Sequence, residues 1–522
     1  MYPPVEGAAP RSAGAAPLTL ADLADLVGAP VQGDPATAVT GVTLASGEVA
    51  RGDLYAALPG ARTHGARFTA DAAARGAVAV LTDPSGREQA AATGLPVCVV
   101  EDPRALLGAV AARVYGEPAR RLQVIGITGT NGKTTTSYLV EAGLAAAGRG
   151  TGLIGTVETR TRGRSDDGTP TVTAFPSVRT TPEAPAVQAL LARMADAGVQ
   201  TVVMEVSSHA LVLGRVGGIG FAAAGFTNLG RDHLDFHTDL EDYFAAKARL
   251  FDGRAAVEVV DVDDPYGRRL ADRLGGRAVT VSTGGADADW SGGDVAVSPD
   301  GGSTFTLTGP GGRTWPGRVR LPGRFNVANA VLAVALLDAV GVPVDTALAG
   351  LATTVVPGRM EPVDAGQPFV AVVDYAHTPD AVATALDALR AATRGRVLTV
   401  LGCGGDRDPG KRPAMGRAAA LGSDLLVVTD DNPRSEDPAA IRAAMLAGVP
   451  AERRGDVLEV GDRRAAIAAA VGRARPGDAV LVAGKGHESG QEVAGTLHPF
   501  DDRAVLREAL AQLAPAGVEP ST

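Results

Sequence analysis

The chain has 522 residues, 45% of them hydrophobic, with a formal net charge of −10 and two cysteines. This length allows about three domains. The acidic balance argues against nucleic-acid binding as the main function, and two cysteines exclude a disulfide framework and suit a reducing cytoplasm. Since no uncharged apolar stretch of about 18 residues occurs, no membrane span is expected. Residues 1–17 and 515–522 are predicted to be disordered tails.

Strand-like apolar runs alternate with Ala-rich helical segments almost throughout, which predicts parallel α/β sheets. The predicted strands are Val78–Leu81, Val97–Val100, Leu122–Ile127, Val202–Val206, Phe221–Phe226, Phe369–Val373, Val397–Leu401, Leu425–Thr429 and Ala479–Ala483. The predicted helices are Thr134–Ala147, Ala186–Ala197, Asn326–Leu337, Asp345–Leu351, Val382–Ala392 and Arg464–Gly472. Residues 284–318 predict hairpins or an antiparallel sheet edge. Breaks near residues 116–118 and 355–359 predict domains at 18–117, 118–356 and 357–522.

A glycine-rich loop joins the predicted strand ending at Ile127 to the helix that follows it. Its sequence, GITGTNGKTT at residues 126–135, is a variant of G-x-x-x-x-G-K-[ST], with isoleucine where that pattern has its first glycine. In such loops backbone N–H groups cradle phosphates, the lysine (Lys133) reaches the β- and γ-phosphates, and the hydroxyl (Thr134) binds Mg²⁺. An ordinary glycine-rich turn is the alternative interpretation.

Polar residues follow two further predicted strands. Ligands gather at the carboxyl ends of strands in α/β sheets, so we expect Glu205 and His233 beside the same nucleotide. His233 and His237 are four residues apart, which on a helix could indicate zinc, but the spacing is not His-Glu-x-x-His and ATP with Mg²⁺ is favoured. Glu205 as a simple helix cap, and His209 and His237 as buried hydrogen-bonded histidines, are the alternatives.

These segments resemble the Mur ligases, ATP-dependent enzymes of peptidoglycan precursor synthesis. The matching segments are TGTNGKTT (128–135), EVSSH (205–209), TNLGRDHLD (227–235), LPGRFNVAN (321–329), PGRME (357–361) and DYAHTP (374–379). The resemblance implies a central P-loop ATPase domain with a parallel sheet, an N-terminal α/β UDP-binding domain and a C-terminal Rossmann-like domain. It implies ATP binding by Gly129, Thr130, Asn131, Gly132, Lys133, Thr134, Thr135, Asn326, Asn329, Arg359 and Asp374.

The third domain resembles the family members that add the third amino acid to UDP-N-acetylmuramoyl-L-alanyl-D-glutamate. The segments are GCGGDRD (402–408), DDNPR (430–434) and AGKGHE (483–488). Within the family, Asp-Asn-Pro-Arg implies addition of diaminopimelate, through Arg407, Asp431, Asn432, Pro433, Arg434, Gly484 and Glu488. Diaminopimelate has one carboxylate more than lysine, and two arginines can bind it through paired N–H donors. Acidic side chains can bind its ammonium groups. An Asx-Pro turn with a surface arginine is the alternative.

The resemblance also gives Lys247 a role, as a lysine carbamylated by CO₂. A bare ammonium beside Mg²⁺ and triphosphate would repel the metal, whereas a carbamate supplies an anionic oxygen. A surface lysine is the alternative. The implied catalytic residues are Lys133, Glu205, His233 and Lys247, and the implied metal ligands are Thr134, Glu205, His233 and carbamylated Lys247.

Contacts to the UDP-linked substrate are implied for Leu44, Ser46, Thr180, Thr181, Ser207 and Arg215. Hydroxyls and a guanidinium suit its carboxylates and phosphates. Ala45 and Gly47 depart from the usual Asp-Ser-Arg of the family, and Leu213 stands where some relatives have glutamine. UDP binding is therefore expected in kind but altered in detail.

The implied activity is an ATP-dependent ligation through an acyl phosphate, in cell-wall biogenesis that supports cell shape and division. ATP, diaminopimelate and the UDP-muramoyl-dipeptide would be the small-molecule partners of a cytoplasmic, monomeric enzyme. A ligase using another amino acid such as L-lysine, a folylpolyglutamate synthase-like ligase and a catalytically silent nucleotide-binding regulator remain alternatives.

Overall fold

The computed structural model describes residues 17–31, 33–60, 63–164, 169–175, 177, 179–298 and 301–513. Apart from Pro17, both predicted tails lie outside these residues. Three principal sheets lie at residues 41–99, 123–319 and 361–483. The α/β class is therefore confirmed, while the exact domain boundaries stay predictions.

The first sheet is a short parallel one with the strand order β3-β4-β5-β6. The strands of this region are β1 (Leu18–Thr19), β2 (Ala38–Val39), β3 (Gly41–Thr43), β4 (Asp53–Ala57), β5 (Ala79–Thr82) and β6 (Val97–Val99). The helices are α1 (Leu20–Val27), α2 (Thr69–Arg75), α3 (Arg87–Ala91) and α4 (Pro103–Val114). The pair β1–β2 is antiparallel and lies apart from the main sheet.

The middle sheet has the order β10-β9-β8-β11-β7-β12-β13-β14-β15-β16-β17. Its strands are β7 (Gln123–Thr128), β8 (Thr151–Ile154), β9 (Thr159–Arg164), β10 (Pro170–Phe175), β11 (Thr201–Glu205), β12 (Phe221–Phe226), β13 (Ala255–Asp261), β14 (Ala278–Ser282), β15 (Trp290–Val297), β16 (Ser303–Gly309) and β17 (Arg313–Val319). Its helices are α5 (Lys133–Ala146), α6 (Ala184–Asp196), α7 (Ser208–Val212), α8 (Leu240–Ala248), α9 (Pro265–Leu274), α10 (Arg324–Ala339) and α11 (Val344–Leu351).

The centre of the middle sheet is parallel and its two ends are antiparallel. The antiparallel edge predicted at residues 284–318 is confirmed by β15, β16 and β17. The hairpin β9–β10 at the opposite end was not predicted. Apolar clusters cover both faces of the sheet, one built largely on α5, α10 and α11 and the other on α6, α8 and α9. Because the central strands are buried on both faces of the sheet, their sequences are continuous apolar runs.

The third sheet has the order β18-β19-β23-β20-β21-β22 and is parallel except for β18. The strands are β18 (Glu361–Pro362), β19 (Val370–Asp374), β20 (Val397–Leu401), β21 (Leu425–Val428), β22 (Val457–Glu459), β23 (Ala479–Ala483), β24 (Gly490–Val493) and β25 (Thr496–Pro499). The helices are α12 (Pro379–Ala392), α13 (Lys411–Gly422), α14 (Pro438–Ala447), α15 (Arg463–Val471) and α16 (Asp502–Ala511). The hairpin β24–β25 was not predicted.

Helix starts follow a simple local rule in this chain. A side-chain cap followed by proline begins α4, α9, α12 and α14, where Asp or Thr accepts a backbone hydrogen bond from the first turn. The proline lacks the N–H that would otherwise be unpaired there. The cap at Thr378 places the start of α12 at Pro379, three residues before the predicted start at Val382.

The packing of α10 on α5 generates a stability prediction. Leu337 is fully buried, and a Cβ added at Gly143 would stand only 2.3 Å from its Cδ1. We expect Leu337→Ala to destabilise the middle domain by about 2–5 kcal/mol, because a buried leucine leaves a cavity. The chain's two tryptophans, Trp290 and Trp315, both lie in the middle sheet, so urea unfolding followed by tryptophan fluorescence reports on this domain.

A matched control is Leu497→Ala, since that side chain is 70% exposed on β25. It should leave the unfolding midpoint unchanged. Equal midpoints for both variants would show that the α5–α10 contact does not hold this domain together.

Candidate active site

The phosphate loop between β7 and α5 is built on glycines in left-handed conformations. Gly129 has φ of +145° and Gly132 has φ of +88°. A Cβ at these positions would stand 1.8 Å from Thr227 Oγ1 and 2.3 Å from Asn329 Oδ1 respectively. At these two positions only glycine allows both the backbone conformation and the close approach.

The end of β12 holds the loop in shape. The Asn131 N–H donates to Asn228 Oδ1 at 3.0 Å, and the Thr130 N–H donates to the Asn228 carbonyl at 2.9 Å. The Thr227 hydroxyl donates to the Asn131 carbonyl at 2.6 Å. Asn228 lies in one of the segments that resemble the family, but its role as a support for the loop was missed from sequence.

Lys133 lies at the mouth of this loop. Its Nζ donates to the carbonyls of Gly129 and Thr130, both at 3.0 Å. Burial lowers the pKa of Lys133, while the charges of Glu205 and Asp232 oppose that shift. The ammonium is therefore held by loop carbonyls in a position that phosphate oxygens could share.

Glu205, at the end of β11, is joined to the first turn of α5. It is 1% exposed, and its Oε2 accepts from the hydroxyls of Thr134 and Thr156, each at 3.0 Å. Its Oε1 accepts from the Thr156 N–H at 2.8 Å. The helix-cap interpretation of Glu205 is wrong, because Ser207 caps α7 by accepting from the Ala210 N–H. Thr156 was missed from sequence.

A third-domain arginine reaches the same hydroxyl. Arg359 Nη2 donates to Thr134 Oγ1 at 3.3 Å, and its guanidinium carbon lies 4.3 Å from the ring centroid of Tyr375. Asp374 accepts from the Met360 N–H at 2.7 Å, and burial raises the pKa of Asp374. The segment that carries Arg359 is thus fixed to the end of β19 and meets the middle domain at Thr134.

Lys247, on α8, is buried beneath the phosphate loop. It is 1% exposed, its Nζ donates to the Gly129 carbonyl at 2.7 Å, and it lies 4.3 Å from the ring centroid of Tyr243. Burial, reinforced by the charge of Lys133, lowers the pKa of Lys247 well below its usual range. The surface-lysine interpretation is therefore wrong.

The two histidines considered for zinc lie in a turn rather than on a helix. His233 has φ of +54°, and its Nε2 lies 3.5 Å from Asp232 Oδ2. The buried ring of His237 places its nitrogens 2.9 Å from Ser208 Oγ and 3.1 Å from Asp242 Oδ2. In the part of the chain that the structure describes, no group of three His, Cys, Asp or Glu residues is arranged to bind a metal. His237 is thus a buried, hydrogen-bonded histidine.

The two asparagines of α10 are buried behind the loop. Asn329 Nδ2 donates to Asn326 Oδ1 at 3.3 Å, and Asn329 Oδ1 accepts from the Thr136 hydroxyl at 3.4 Å. The same Asn329 oxygen abuts Gly132, where it leaves no room for a Cβ. These contacts tie α10 to α5, and nucleotide contacts by either asparagine stay a prediction. Thr135 is buried in the first turn of α5.

The predicted substrate residues of the middle domain form one hydrogen-bonded group. The Ser207 N–H donates to Thr181 Oγ1 and Arg215 Nη1 donates to the Thr181 carbonyl, both at 3.1 Å. The hydroxyls of Thr180 and Thr156 are 3.0 Å apart. This group therefore connects to Glu205 through Thr156.

The first-domain residues lie in the loop after β3. Leu44 is half-buried. Ser46 lies between the exposed Ala45 and Gly47 and begins a 3₁₀ turn, Ser46–Glu48. Among the described residues, the structure forms no hydrogen bond between this loop and the group around Thr181. UDP contacts by Leu44 and Ser46 stay a prediction.

In the third domain, the ends of β21 and β23 meet through a buried lysine. Lys485 is fully buried, and its Nζ lies 3.0 Å from Asn432 Oδ1 and 3.1 Å from Glu488 Oε2. Asn432 Nδ2 donates to the same Glu488 oxygen at 2.8 Å. Gly484 has φ of +111°, and a Cβ there would stand 2.6 Å from Asp431 Oδ2. Lys485 belongs to a segment that resembles the family, but its role was missed from sequence.

Arg434 is held in a left-handed conformation, with φ of +53°. Its Nη1 donates to the Gly405 carbonyl at 2.6 Å, and its Nε lies 3.3 Å from Glu492 Oε2 on β24. Its side chain is 22% exposed and makes these two polar contacts, which argues against a free surface arginine. Pro433 packs its carbonyl against Gly405, while Arg407 lies exposed on the neighbouring loop.

A wholly buried ion pair supports the third-domain segments that follow β21 and β23. Arg463 Nε and Nη2 bind Asp502 Oδ1 and Oδ2, both at 2.7 Å, with neither side chain exposed. Arg463 Nη2 also donates to the Ala483 carbonyl at 2.9 Å, directly before Gly484. The pair joins residues 39 apart in sequence, and no local pattern indicated it.

Comparison with known proteins explains this arrangement. Three domains of the Mur ligases match in order: the "Mur ligase family, catalytic domain" at residues 38–115, the "Mur ligase middle domain" at 127–337 and the "Mur ligase, glutamate ligase domain" at 358–486. The chain belongs to the Mur ligase family. It is a ligase with the family's three-domain α/β fold, as expected from the sequence.

The chain resembles several diaminopimelate ligases over nearly its full length. UDP-N-acetylmuramoyl-L-alanyl-D-glutamate–2,6-diaminopimelate ligase of Streptomyces avermitilis is 56% identical, covering 96% of this chain and 98% of that protein. The enzyme of the same name from Streptomyces coelicolor is 55% identical, with 96% and 98% covered. A solved structure with this name is 31% identical with a TM-score of 0.68, covering 95% of this chain and 99% of that one.

No α-helix among the described residues combines the length and apolar character needed to cross a bilayer.

The close approach of Gly132 to Asn329 generates a prediction. Gly132→Ala should lower ATP affinity on the order of tenfold or more, because the added Cβ meets Asn329 Oδ1 and strains a left-handed residue. Titration with a fluorescent ATP analogue measures this. The matched control, Gly148→Ala, has φ of +76° but open space, so it should lose about 1 kcal/mol of stability and no ATP affinity. Equal ATP affinity in both variants would show that the loop tolerates a side chain.

Proposed function

We propose that this ligase adds diaminopimelate to the D-glutamyl γ-carboxylate of UDP-N-acetylmuramoyl-L-alanyl-D-glutamate, using ATP. The observation that carries the proposal is the meeting of Lys133, Glu205 and Arg359 around the Thr134 hydroxyl. Phosphoryl transfer needs positioned charge more than covalent help from the protein, and this group supplies it. The names of the full-length relatives support the identity of both substrates.

The donor set fits Mg²⁺. Thr134 and Glu205 offer a hydroxyl and a carboxylate, the hard oxygen ligands that Mg²⁺ accepts together with substrate phosphates. His233 and a carbamylated Lys247 would complete the protein's contribution. Bound there, Mg²⁺ would neutralise negative charge on the phosphoryl group in transfer.

Carbamylation of Lys247 is proposed on the basis of its burial. CO₂ reacts with a neutral amine, forming a carbamate and releasing a proton, and burial favours the neutral amine at this position. A carbamate would replace this neutral amine with an anion near the Lys133 ammonium. The local charge would then suit a divalent cation and a triphosphate together.

In the proposed reaction the γ-carboxylate oxygen attacks the γ-phosphorus of ATP, and ADP leaves. Lys133 and Arg359 would neutralise charge on the transferring group. The amine of diaminopimelate then attacks the acyl carbon and loses a proton, and collapse of the tetrahedral intermediate releases phosphate. Contact between Arg359 and Thr134 joins the third domain to the middle domain, which supports closure that keeps water from the acyl phosphate.

The amino-acid end of the site is assigned to the loops after β21 and β23. Arg434 and Arg407 would bind the distal carboxylate of diaminopimelate. Hydrogen bonds from Ser435 lower the pKa of Asp406, and Arg434 and Arg407 act in the same direction, so both arginines lie near this one carboxylate. The Glu488 and Asp431 side chains would take ammonium groups.

The alternatives are weaker on particular observations. The match of residues 38–115 to a Mur ligase first domain argues against a folylpolyglutamate synthase-like ligase. The intact group of Lys133, Thr134 and Glu205 argues against a silent regulator. We also propose that the enzyme works as a cytoplasmic monomer in peptidoglycan synthesis. The net charge of −10 argues against a nucleic-acid partner.

The carbamate is testable directly. Lys247→Ala should lower kcat on the order of 10²-fold, with partial rescue by acetate, because short carboxylates replace the missing oxygens. Lys247→Arg keeps a cation and should be equally inactive. Carbon NMR of wild-type enzyme equilibrated with labelled CO₂ should show a carbamate signal that both variants lack. Wild-type activity in Lys247→Ala without rescue would contradict the carbamate.

Amino-acid specificity tests the function itself. With labelled UDP-muramoyl-dipeptide, the wild-type enzyme should use diaminopimelate and discriminate against lysine by up to about 10⁴-fold, because lysine lacks the distal carboxylate that the two arginines would bind. Arg434→Lys should depress kcat/KM for diaminopimelate with ATP affinity unchanged, since lysine lacks the bidentate fork.

Arg417→Ala, an exposed arginine on α13, is the matched control for Arg434→Lys and should behave as wild type. Equal use of lysine and diaminopimelate by the wild-type enzyme would contradict the assigned specificity. Ligation of neither amino acid would contradict the proposed function.

A further inference from the structure

Three arginines converge on one glutamate at the junction of the first and middle domains. Arg215 Nη2 and Arg179 Nη1 each lie 2.7 Å from Glu183 Oε1, and Arg104 Nη1 lies 3.6 Å from Glu183 Oε2. Arg104 belongs to α4 of the first domain, and the other three residues belong to the middle domain. Three positive charges against one negative charge leave two in excess.

The donors of this arginine cluster (Arg104, Arg179, Arg215) outnumber the acceptors around them. Arg104 Nη1 and Arg215 Nε are buried without a hydrogen-bond partner. Burial lowers the pKa of Arg215 despite the charge of Glu183, and the charges of Arg179 and Arg104 lower it further. Unpaired buried donors destabilise a protein, so such a cluster is incomplete without a further acceptor.

The arginine cluster is linked through Thr181 to the main chain of Glu205. Arg215 Nη1 donates to the Thr181 carbonyl at 3.1 Å, and the Thr181 hydroxyl donates to the Glu205 carbonyl at 2.8 Å. A ligand held by these arginines would therefore lie beside the end of the strand that carries Glu205.

The first-domain arginine is held firmly in place. On α4, Gly108 packs so closely on the middle domain that a Cβ there would stand 2.5 Å from the Cα of Gly217. Gln188 Nε2 donates to the Gly217 carbonyl at 3.2 Å and fixes that loop. This packing fixes the helix that carries Arg104 against the middle domain independently of the ion pair with Glu183.

We infer that Arg104 and Arg179 join Arg215 in binding an anionic oxygen group, carboxylate or phosphate, of the UDP-muramoyl-dipeptide. The inference rests on the proposed function. Guanidinium groups bind such oxygens through paired N–H donors. Glu183 holds the three cations in place, and the substrate's anion supplies the missing acceptors. The first domain thereby contributes a residue to recognition of the acceptor.

Calorimetric titration with UDP-N-acetylmuramoyl-L-alanyl-D-glutamate, without ATP or amino acid, tests this directly. Arg104→Met and Arg179→Met should each raise Kd, by roughly 10- to 100-fold for Arg104, while ATP affinity is unchanged. Arg104→Lys should restore only part of the affinity, because it lacks the fork. The matched control Arg113→Met lies on the same helix, 50% exposed and 3.8 Å from Glu117, and should bind as wild type.

The same titration with UDP-N-acetylmuramoyl-L-alanine, which lacks the glutamate, separates the two sources of the anion. If the loss of affinity disappears, the cluster binds a glutamate carboxylate, and if it persists, the cluster binds phosphate. Wild-type Kd values for both Arg104→Met and Arg179→Met would overturn the inference. Arg179 is 54% exposed, so its replacement remains decisive should Arg104→Met fail to fold. Absence of binding by the wild-type protein would instead contradict the proposed function.

Discussion

The Thr134 hydroxyl is the point on which the site depends, because three parts of the chain meet there. The hydroxyl donates to Glu205 at the end of β11 and accepts from Arg359 of the third domain. Thr134 itself follows Lys133 at the start of α5. The hydroxyl thus links the phosphate loop, a buried carboxylate and the neighbouring domain. A site assembled in this way is complete only when the domains are together, which suits chemistry through an intermediate that water would destroy.

The site carries an excess of buried cationic groups, which the anionic phosphates of ATP would balance. Lys133 and Lys247 are buried close enough that the charge of Lys133 lowers the pKa of Lys247. Glu205 and Asp232 oppose the shift at Lys133, and Asp232 opposes it at Lys247. Buried cations gathered on one loop are stabilised by anions, and ATP brings several. The same principle explains the arginine cluster around Glu183, where donors again exceed acceptors.

The sequence predicted the features that depend on residues close together in the chain. The phosphate loop followed from its glycines and Lys133. The predicted strands followed from apolar runs, and each of their ends agrees with the structure to within one residue. Lys485 could have been suspected, since a lysine inside a glycine segment directly after a buried strand has little room to reach solvent. The zinc alternative depended on a helix at residues 233–237, where the chain forms a turn instead.

Contacts between distant segments could not be predicted in the same way. The pairing of Arg463 with Asp502 and the contact of Thr156 with Glu205 join residues 39 and 49 apart. Such pairs depend on how helices and strands pack, which periodicity does not encode. The hairpin β24–β25 was missed for a related reason. Its strands are short, β24 is half-buried and β25 is exposed, and the hairpin contacts Arg434 through backbone hydrogen bonds.

The central claim is that the chain activates the substrate's γ-carboxylate as an acyl phosphate. The most direct measurement uses UDP-muramoyl-dipeptide labelled with heavy oxygen in that carboxylate, followed by mass spectrometry of the phosphate released during ligation. Since the carboxylate oxygen attacks phosphorus and then leaves with it, the account predicts one heavy oxygen transferred to each phosphate. Unlabelled phosphate, with ligation proceeding normally, would contradict the account.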